Sequence, residues 1–384
     1  MNTVTQFVYL SVCSLTGENP VLDKIDYDAL WKLASAHGMA ALTAKALSGA
    51  GLLGNASDDE KRRWNDALNH QIKKTILFEA ERKKLIAFME QNKIWYMLLK
   101  GAVIGRLYPH YGTREFADND ILFDENFRDT MREYMLKNGY TLRADFTCAD
   151  EYSKDPFYNF ELHHSLYDRD KNLNGFDIHS YYSDIKERLE PDGSGYGYHF
   201  TQSDFYIYFI LHAFKHYTVN GTGFRTVTDE YLILKNYTDI DFDYVRRELE
   251  KTGAVSFEET LRRLTLKLFS DKSAVKDGFD ALDADEKEML QYILTSGMFG
   301  ADEHYYENMF NECFSGGGGS RVRYYRHRIS GYAAKIKSRN PGIAKHKLLF
   351  PVYVALNMPV QAIHKRKDIK KEISYIKKLE KDKE

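Results

Sequence analysis

The sequence predicts an α+β fold in which a small mixed-sheet core is flanked by N-terminal helices and a C-terminal helical bundle. Three observations lead to this prediction: the helical periodicity of 58–91, the short strand-forming runs between about residues 94 and 183, and the return of helical periodicity after Gly197. We therefore expect an N-terminal helical segment over 1–93, an α/β core over 94–183 and a C-terminal helical region over 184–384.

The composition is that of a globular protein without a strong overall charge. The 384 residues are 43% hydrophobic, and 54 basic residues face 56 acidic ones, for a net charge of −2. This balance gives no general attraction for nucleic acid, which we do not expect as a partner. The three cysteines (Cys13, Cys148 and Cys313) are far apart and in no metal-ligand spacing, which favours a reducing, cytoplasmic location. Neither a signal peptide nor a membrane span is predicted.

The first quarter of the chain is predicted to be helical. Apolar residues recur at intervals of three and four from Asp28 to about Leu47. The stretch from Asp58 to Gln91 is long and charged, and its apolar residues repeat with the same helical period.

The core is predicted to begin with the apolar run 94–100, which ends at Gly101 and leads into a helical stretch. That pattern predicts a strand, a tight turn and a helix. Residues 118–124 predict the next strand, and 126–139 predict an amphipathic helix closed by Gly139. Three further strands are predicted in the segments YTLRAD, FYNFELHHSLYD and GFDIHSYYS.

Five helical segments are predicted after the core: SDFYIYFILHAFKHYTV, RTVTDEYLILKNY, YVRRELEKTG, SFEETLRRLTLKLF and ADEKEMLQYILTSG. The SGGGGS run at 315–320 predicts a flexible joint. The charged tail from His364 predicts a solvated terminal helix.

Asp118 and Asp120 are the first candidates for chemistry. They lie two residues apart on a predicted strand, so both side chains point to the same face and can share a divalent cation. Mg²⁺ binds in proteins through a few carboxylates together with phosphate oxygens and water. The alternative is that the two acids only begin a strand in a polar turn.

The segment LLKGAVIGRLYP lies upstream and has the pattern of a phosphate site. Gly101 would let a phosphate approach the backbone, and the following helix N-terminus offers free N–H groups. Lys100 and Arg114 could add positive charge toward triphosphate oxygens, Arg114 in bidentate fashion. Surface ion pairs are the alternative for both.

The run LLKGAVIGRLYPHYGTREFADNDILFD resembles the signature of the uncharacterised bacterial nucleotidyltransferase family, within the polymerase-β-like nucleotidyltransferase superfamily. That signature has a Lys-Gly turn, a Tyr-Pro, an Arg and an Asp-x-Asp followed by apolar residues. The resemblance implies that Gly101 is the turn glycine before the helix that faces the phosphates. It also implies that Asp118 and Asp120 are metal ligands and that a third acid lies on a neighbouring strand.

The third acid is expected at Asp177, because the resemblance favours the Asp-x-His strand in GFDIHSYY. Glu161, on the adjacent predicted strand, is the alternative. His163, His164 and His179 are candidate substrate contacts, although a histidine held by structural hydrogen bonds is the more common case.

A second block, LHAFKHYTVNGTGFRTVTDEYLIL, resembles the helical segment that follows the catalytic unit in the same family. His212 and His216 are four residues apart on a predicted helix face, but no nearby Glu could serve as the base of a zinc protease. For Arg225 and Asp229 we favour buried polar contacts that join the helical and catalytic units.

The resemblance implies a nucleotidyltransferase that moves a nucleoside monophosphate from a nucleoside triphosphate such as ATP to a hydroxyl acceptor, with release of pyrophosphate. We expect Mg²⁺ or Mn²⁺ as the cofactor and a small molecule or a protein as the acceptor. Asp177 would complete a second metal position or take the acceptor's proton. The alternatives are a catalytically inactive nucleotide-sensing or antitoxin-like protein-interaction module, and a helical scaffold in which the Asp-x-Asp is incidental.

Overall fold

The computed structural model describes residues 1–169, 172–173, 175–193, 195–270 and 273–298, with isolated positions beyond them (306, 324–326, 328–330, 333, 350–353, 355 and 372–377). The chain divides into two compact units, 1–215 with 222–298 and 216–221 with 299–384. The sheet and all residues of the predicted site lie in the first unit. The predicted boundaries after residues 93 and 183 stay predictions. The predicted joint at 315–320 lies outside the described residues, and of the predicted terminal helix only 372–377 is described, as helix.

The N-terminal helices are α1 (Thr3–Thr16), α2 (Tyr27–Ala36), α3 (Ala40–Gly49) and α4 (Asp58–Gln91). The helical stretch predicted over 28–47 forms two helices, with an unpredicted break at 37–39, and the helix predicted over 58–91 is confirmed. Ser57 and Glu60 start α4 with reciprocal side-chain to backbone hydrogen bonds, which satisfy N–H groups that have no partner within the helix. Helix α1 is buried on all sides, so it has no polar stripe from which to predict its bounds.

The central elements follow in chain order: β1 (Tyr96–Leu98), α5 (Lys100–Ile104), β2 (Asn119–Phe123), α6 (Arg128–Lys137), β3 (Thr141–Asp145), β4 (Ala149–Lys154), β5 (Tyr158–His163), β6 (Asn172–Leu173), β7 (Phe176–Asp177), α7 (Ile178–Tyr181), β8 (Leu189–Pro191) and β9 (Gly197–Phe200). The C-terminal helices are α8 (Gln202–Tyr217), α9 (Arg225–Asn236), α10 (Phe242–Glu250), α11 (Val255–Ser270), α12 (Ser273–Lys276) and α13 (Ala284–Ser296). All five predicted helical segments of this region are confirmed. Among the described residues, no helix combines the length and the apolar character needed to cross a membrane.

Seven strands form one mixed sheet in the order β3-β4-β5-β2-β1-β9-β8. Strand β2 pairs antiparallel with β1 and parallel with β5, and β1 pairs parallel with β9. The pairs β3·β4, β4·β5 and β8·β9 are antiparallel. This arrangement confirms the predicted α+β class with a mixed sheet.

The sheet differs from the predicted set of strands in two respects. Strands β4, β8 and β9 were not predicted, and the last two join the sheet from beyond residue 183. The strand predicted across GFDIHSYYS is wrong beyond Asp177, because residues Ile178–Tyr181 form the short helix α7. The Asp177 side chain accepts a hydrogen bond from Ser180 N and so stabilises the start of that helix.

One face of the sheet carries the core of this region. Alternate residues of β2 and β5 (Ile121, Phe123, Phe160 and Leu162) pack with residues of α4 and α6 in one buried cluster. Successive side chains of a strand point to opposite faces. The polar residues Asp120, Glu161 and His163 therefore lie on the other face.

Candidate functional site

Strand register brings Asp120 and Glu161 side by side. In the parallel pair β2·β5, Asp120 is the direct partner of Glu161, and His163 follows on the same face. His163 Nε2 lies 3.2 Å from Asp120 Oδ1 and 3.4 Å from Glu161 Oε1. One ligand atom from each of these three side chains lies within 4.8 Å of the others. This group could therefore hold a metal ion.

Lys100 completes the surroundings of Asp120. Its Nζ donates to Asp120 Oδ1 at 2.9 Å, and only 24% of the Lys100 side chain is exposed. Burial alone would raise the pKa of Asp120, but the Lys100 ammonium and the hydrogen bond from His163 outweigh it and lower that pKa. Asp120 is therefore a carboxylate at neutral pH.

Asp118 lies just before β2, and its pKa is shifted in the opposite direction from that of Asp120. The negative charge of Asp120, followed by burial, raises the pKa of Asp118 to about 7, although Lys100 opposes the shift. The two acids of the Asp-x-Asp thus differ in proton affinity, as expected when like charges share one small region. Added positive charge would relieve this repulsion.

Gly101 is the second residue of α5 and lies beneath Arg114. A Cβ atom at this position would come 2.8 Å from Arg114 Nη1, which is closer than real Cβ atoms come to their neighbours. Packing against Arg114 therefore explains the glycine without a phosphate. Helix α5 has only five residues, so its dipole would contribute little to the anion-binding site predicted at its N-terminus.

Arg114 is held by an acidic side chain of helix α9. Its Nε and Nη2 donate to the two oxygens of Asp229 at 2.9 and 2.7 Å, and the two side chains are only 7% and 6% exposed. Tyr108 donates to the same carboxylate at 2.8 Å. Asp229 therefore occupies one bidentate edge of the guanidinium, which indicates a structural role for Arg114, and its phosphate role stays a prediction.

The prediction for the helical unit is confirmed by the same contacts. Asp229 lies on α9 and binds the loop before β2 through Arg114. Arg225, at the start of α9, donates from Nη1 to the carbonyl of Glu115 at 2.7 Å. Both residues therefore join the helical part to the segment that carries the Asp-x-Asp.

Asp177, the preferred third acid, is not brought into the group around Asp120. Its carboxylate is exposed and accepts hydrogen bonds from the backbone N–H and the hydroxyl of Ser180, at 3.0 and 2.6 Å. The preference for Asp177 followed the resemblance and a strand expected to continue through His179, but β7 ends at Asp177 and a short helix follows. Glu161, the alternative, lies directly beside Asp120.

The other two candidate histidines lie apart from the three-residue group. His179 Nδ1 is 2.9 Å from the carbonyl of Tyr167 and 3.3 Å from Ser165 Oγ, which are structural contacts. His164 is buried, and among the described residues neither of its ring nitrogens has a hydrogen-bond partner.

Two residues near the site were missed by sequence reasoning. Glu151 on β4 is the direct partner of Glu161, and burial, followed by the charge of Glu161, raises the pKa of Glu151. Tyr208 on α8 is buried, and burial, together with the charges of Asp120 and Glu161, raises its pKa although Lys100 opposes the shift. Glu151 would have needed the prediction of β4, and Tyr208 lies in an evenly apolar helix that contains no local signal.

Comparison with known proteins adds one finding to this geometry. The model of a family described as uncharacterised nucleotidyltransferase matches residues 23–270. No curated protein and no solved structure matched the chain. The matched range includes the whole seven-stranded sheet, the Asp-x-Asp and the helices from α2 to α11, so it contains the strands that carry the acids. The chain belongs to this uncharacterised nucleotidyltransferase family.

Proposed function

We propose that the protein is a metal-dependent nucleotidyltransferase. It would transfer a nucleoside monophosphate from a nucleoside triphosphate to a hydroxyl of a small molecule or a protein and release pyrophosphate. The family supports the class of reaction. The observation that carries the proposal is the juxtaposition of Asp120 and Glu161 on β2 and β5, with Asp118 two residues before Asp120.

The side chains present fit a divalent cation. Carboxylates opposite one another on neighbouring strands repel unless a cation lies between them. One oxygen of Asp120 already accepts a hydrogen bond from an ammonium group at 2.9 Å. Asp118, Asp120 and Glu161 would hold Mg²⁺ or Mn²⁺, since these ions prefer oxygen ligands. When bound, the ion would neutralise phosphate charge and polarise the phosphoryl group.

The chain's own residues would hold and orient the reacting groups. We assign the third acid to Glu161 and not to Asp177. His163 would donate from Nε2 to Asp120 and Glu161 and so keep both carboxylates in one orientation. Lys100 would supply a positive charge beside the phosphates. The acceptor oxygen would form its bond to the α-phosphorus as the bond to pyrophosphate breaks, and the hydroxyl proton would pass to water. Positioning would supply most of the rate.

Calorimetric titration with each of the four nucleoside triphosphates, with and without Mg²⁺ or Mn²⁺, tests this proposal. We expect binding to need the metal and to be lost in the Asp118→Asn, Asp120→Asn double variant. Glu161→Gln should weaken binding, whereas the matched variant Asp177→Asn should leave it unchanged. Release of pyrophosphate on addition of candidate acceptors would then identify the second substrate. Metal-dependent binding that fails only in Asp177→Asn would contradict the assignment of the third acid.

A catalytically inactive nucleotide-sensing or protein-interaction module is the second candidate. The observation that favours it is the Lys100–Asp120 ion pair, which neutralises one acid of the site without any metal. This candidate predicts nucleotide or protein binding that persists when Asp118 and Asp120 are both replaced by Asn, with no release of pyrophosphate.

A further inference from the structure

Asp120 Oδ1 is occupied by two nitrogen donors at once. Lys100 Nζ lies at 2.9 Å from this oxygen, and His163 Nε2 lies at 3.2 Å from the same atom. The Asp120 side chain is 5% exposed, so water has little access to it. The acid that the family signature assigns to the metal is thus already neutralised by a side chain of the protein.

The backbone at Lys100 is held in an uncommon conformation. Its φ is +38°, in the left-handed region that side chains other than glycine rarely adopt. Such a conformation persists only where the surroundings fix it, and it is often found at ligand-binding positions. The close packing of the next residue, Gly101, under Arg114 fixes the backbone on one side, and the ion pair with Asp120 fixes the side chain.

A divalent cation on these acids would face Lys100 directly. The double positive charge of the cation would repel the ammonium strongly, because the site is buried and the local dielectric constant is low. The Lys100 ammonium is the cation that lies against Asp120, at 2.9 Å from its Oδ1. The lysine side chain is long and flexible, and a triphosphate would offer it phosphate oxygens in exchange for the carboxylate.

We propose that Lys100 is an exchangeable cation of the site. It neutralises Asp120 when metal and nucleotide are absent, and it moves to a phosphate oxygen of the triphosphate when a divalent cation takes its place. This inference rests on the proposed function. It follows that the metal and the triphosphate bind cooperatively, because the phosphates accept the ammonium that the metal displaces.

Titration with Mn²⁺ in the absence of nucleotide tests the first half of the proposal. Lys100→Met should bind Mn²⁺ at least about tenfold more tightly than the unmodified protein, since a repelling charge beside the ion has been removed. Lys100→Arg should keep near-normal affinity. Lys154→Met is the matched control, because Lys154 also pairs with a carboxylate, Glu81 at 3.7 Å, but packs over the ring of Tyr140 in the core cluster. Its affinity for Mn²⁺ should not change.

The same titration with a non-hydrolysable triphosphate analogue tests the second half. The analogue should raise the Mn²⁺ affinity of the unmodified protein, and this gain should shrink at least about fivefold in Lys100→Met because no ammonium remains to be transferred. Circular dichroism checks that each variant folds, and Lys100→Gln serves as a second neutral variant if Lys100→Met does not fold.

Equal or weaker Mn²⁺ binding by the neutral variants would overturn the role of Lys100 as a resident cation. An unchanged gain from the analogue would overturn the exchange. If the analogue does not bind to the unmodified protein, the proposed function and the exchange both fail. The titration without nucleotide would still decide whether Lys100 occupies the cation position, so the two failures are distinguishable.

Discussion

The buried pair of Arg114 and Asp229 permits a quantitative test of how the site is supported. The perturbation is a double-mutant cycle of Arg114→Met, Asp229→Leu and the two together, which replaces the ion pair by apolar side chains of similar size. Two parallel charge-assisted hydrogen bonds, at 2.9 and 2.7 Å and almost fully buried, are lost in each single variant. Each single variant leaves an unpaired buried charge, so we expect its free energy of unfolding to be about 3 to 5 kcal/mol lower than that of the unmodified protein.

The double variant should recover most of that loss. Neither charge is then left unpaired, and the hydroxyl of Tyr108 keeps its contact with Thr228 Oγ1 at 3.1 Å. We expect a coupling free energy of about 3 kcal/mol or more from urea denaturation of the four proteins. Additive losses, or single losses below about 1 kcal/mol, would refute the reasoning.

The same four proteins also decide between the two roles of Arg114. If this residue is a structural contact, as its partners indicate, the stable double variant should keep the nucleotide affinity of the unmodified protein. If Arg114 bound a phosphate, as the sequence pattern suggested, affinity would fall even where stability is restored. The matched measurement is calorimetric titration with the nucleotide that the unmodified protein binds most tightly.

Two further predictions follow from single residues. Glu230 is buried and accepts hydrogen bonds from Tyr206 and Thr265, and burial raises its pKa from 4.5 to about 8, so the native state keeps a proton that the unfolded chain releases. The contribution of Glu230 should lower the free energy of unfolding by about 4 to 5 kcal/mol as pH rises from 4.5 to 8. Glu230→Gln should flatten this dependence in denaturation series at pH 5 and pH 8.5, and an unchanged slope would contradict it. Gly101→Ala should cost about 1 to 3 kcal/mol in thermal denaturation. Gly105→Ala, where a Cβ meets nothing within 4 Å, should cost little, and equal losses would contradict the packing argument.

Helix α4 and strand β2 were predictable because the forces that form them are local. The first turn of α4 carries three acids and is capped by Ser57 and Glu60, and its bounds agree with the pattern. Strand β2 likewise follows from its own run of apolar residues, although it begins at Asn119, so Asp118 precedes the strand on which it was predicted to lie. Helix α1 has no such local signal, because its buried residues surround the whole helix.

The choice between Glu161 and Asp177 as the proposed third acid depends on information that is not local. Glu161 reaches Asp120 through the register of the parallel pair β2·β5, and no pattern within either strand specifies that register. The helix that begins after Asp177 was predictable from the sequence, however. Ser180 lies three residues after Asp177, and an aspartate in that position commonly caps a helix N-terminus. A short helix was therefore a local competitor of the predicted strand.

Lys100 and Arg114 begin as equal candidates for binding phosphate, and geometry separates them. The flat guanidinium of Arg114 donates to both oxygens of Asp229. If Arg114 moved away, two hydrogen bonds would be lost and the buried Asp229 carboxylate would have no cation beside it. The ammonium of Lys100 makes one contact with Asp120, on an oxygen that His163 also binds, so Asp120 keeps a partner if Lys100 moves. A guanidinium that donates to two oxygens suits a structural role, because its geometry is fixed. A flexible lysine ammonium with one contact suits an exchange between carboxylate and phosphate. The distinction depends on how many atoms each acid offers to each cation, which side-chain charge alone cannot specify.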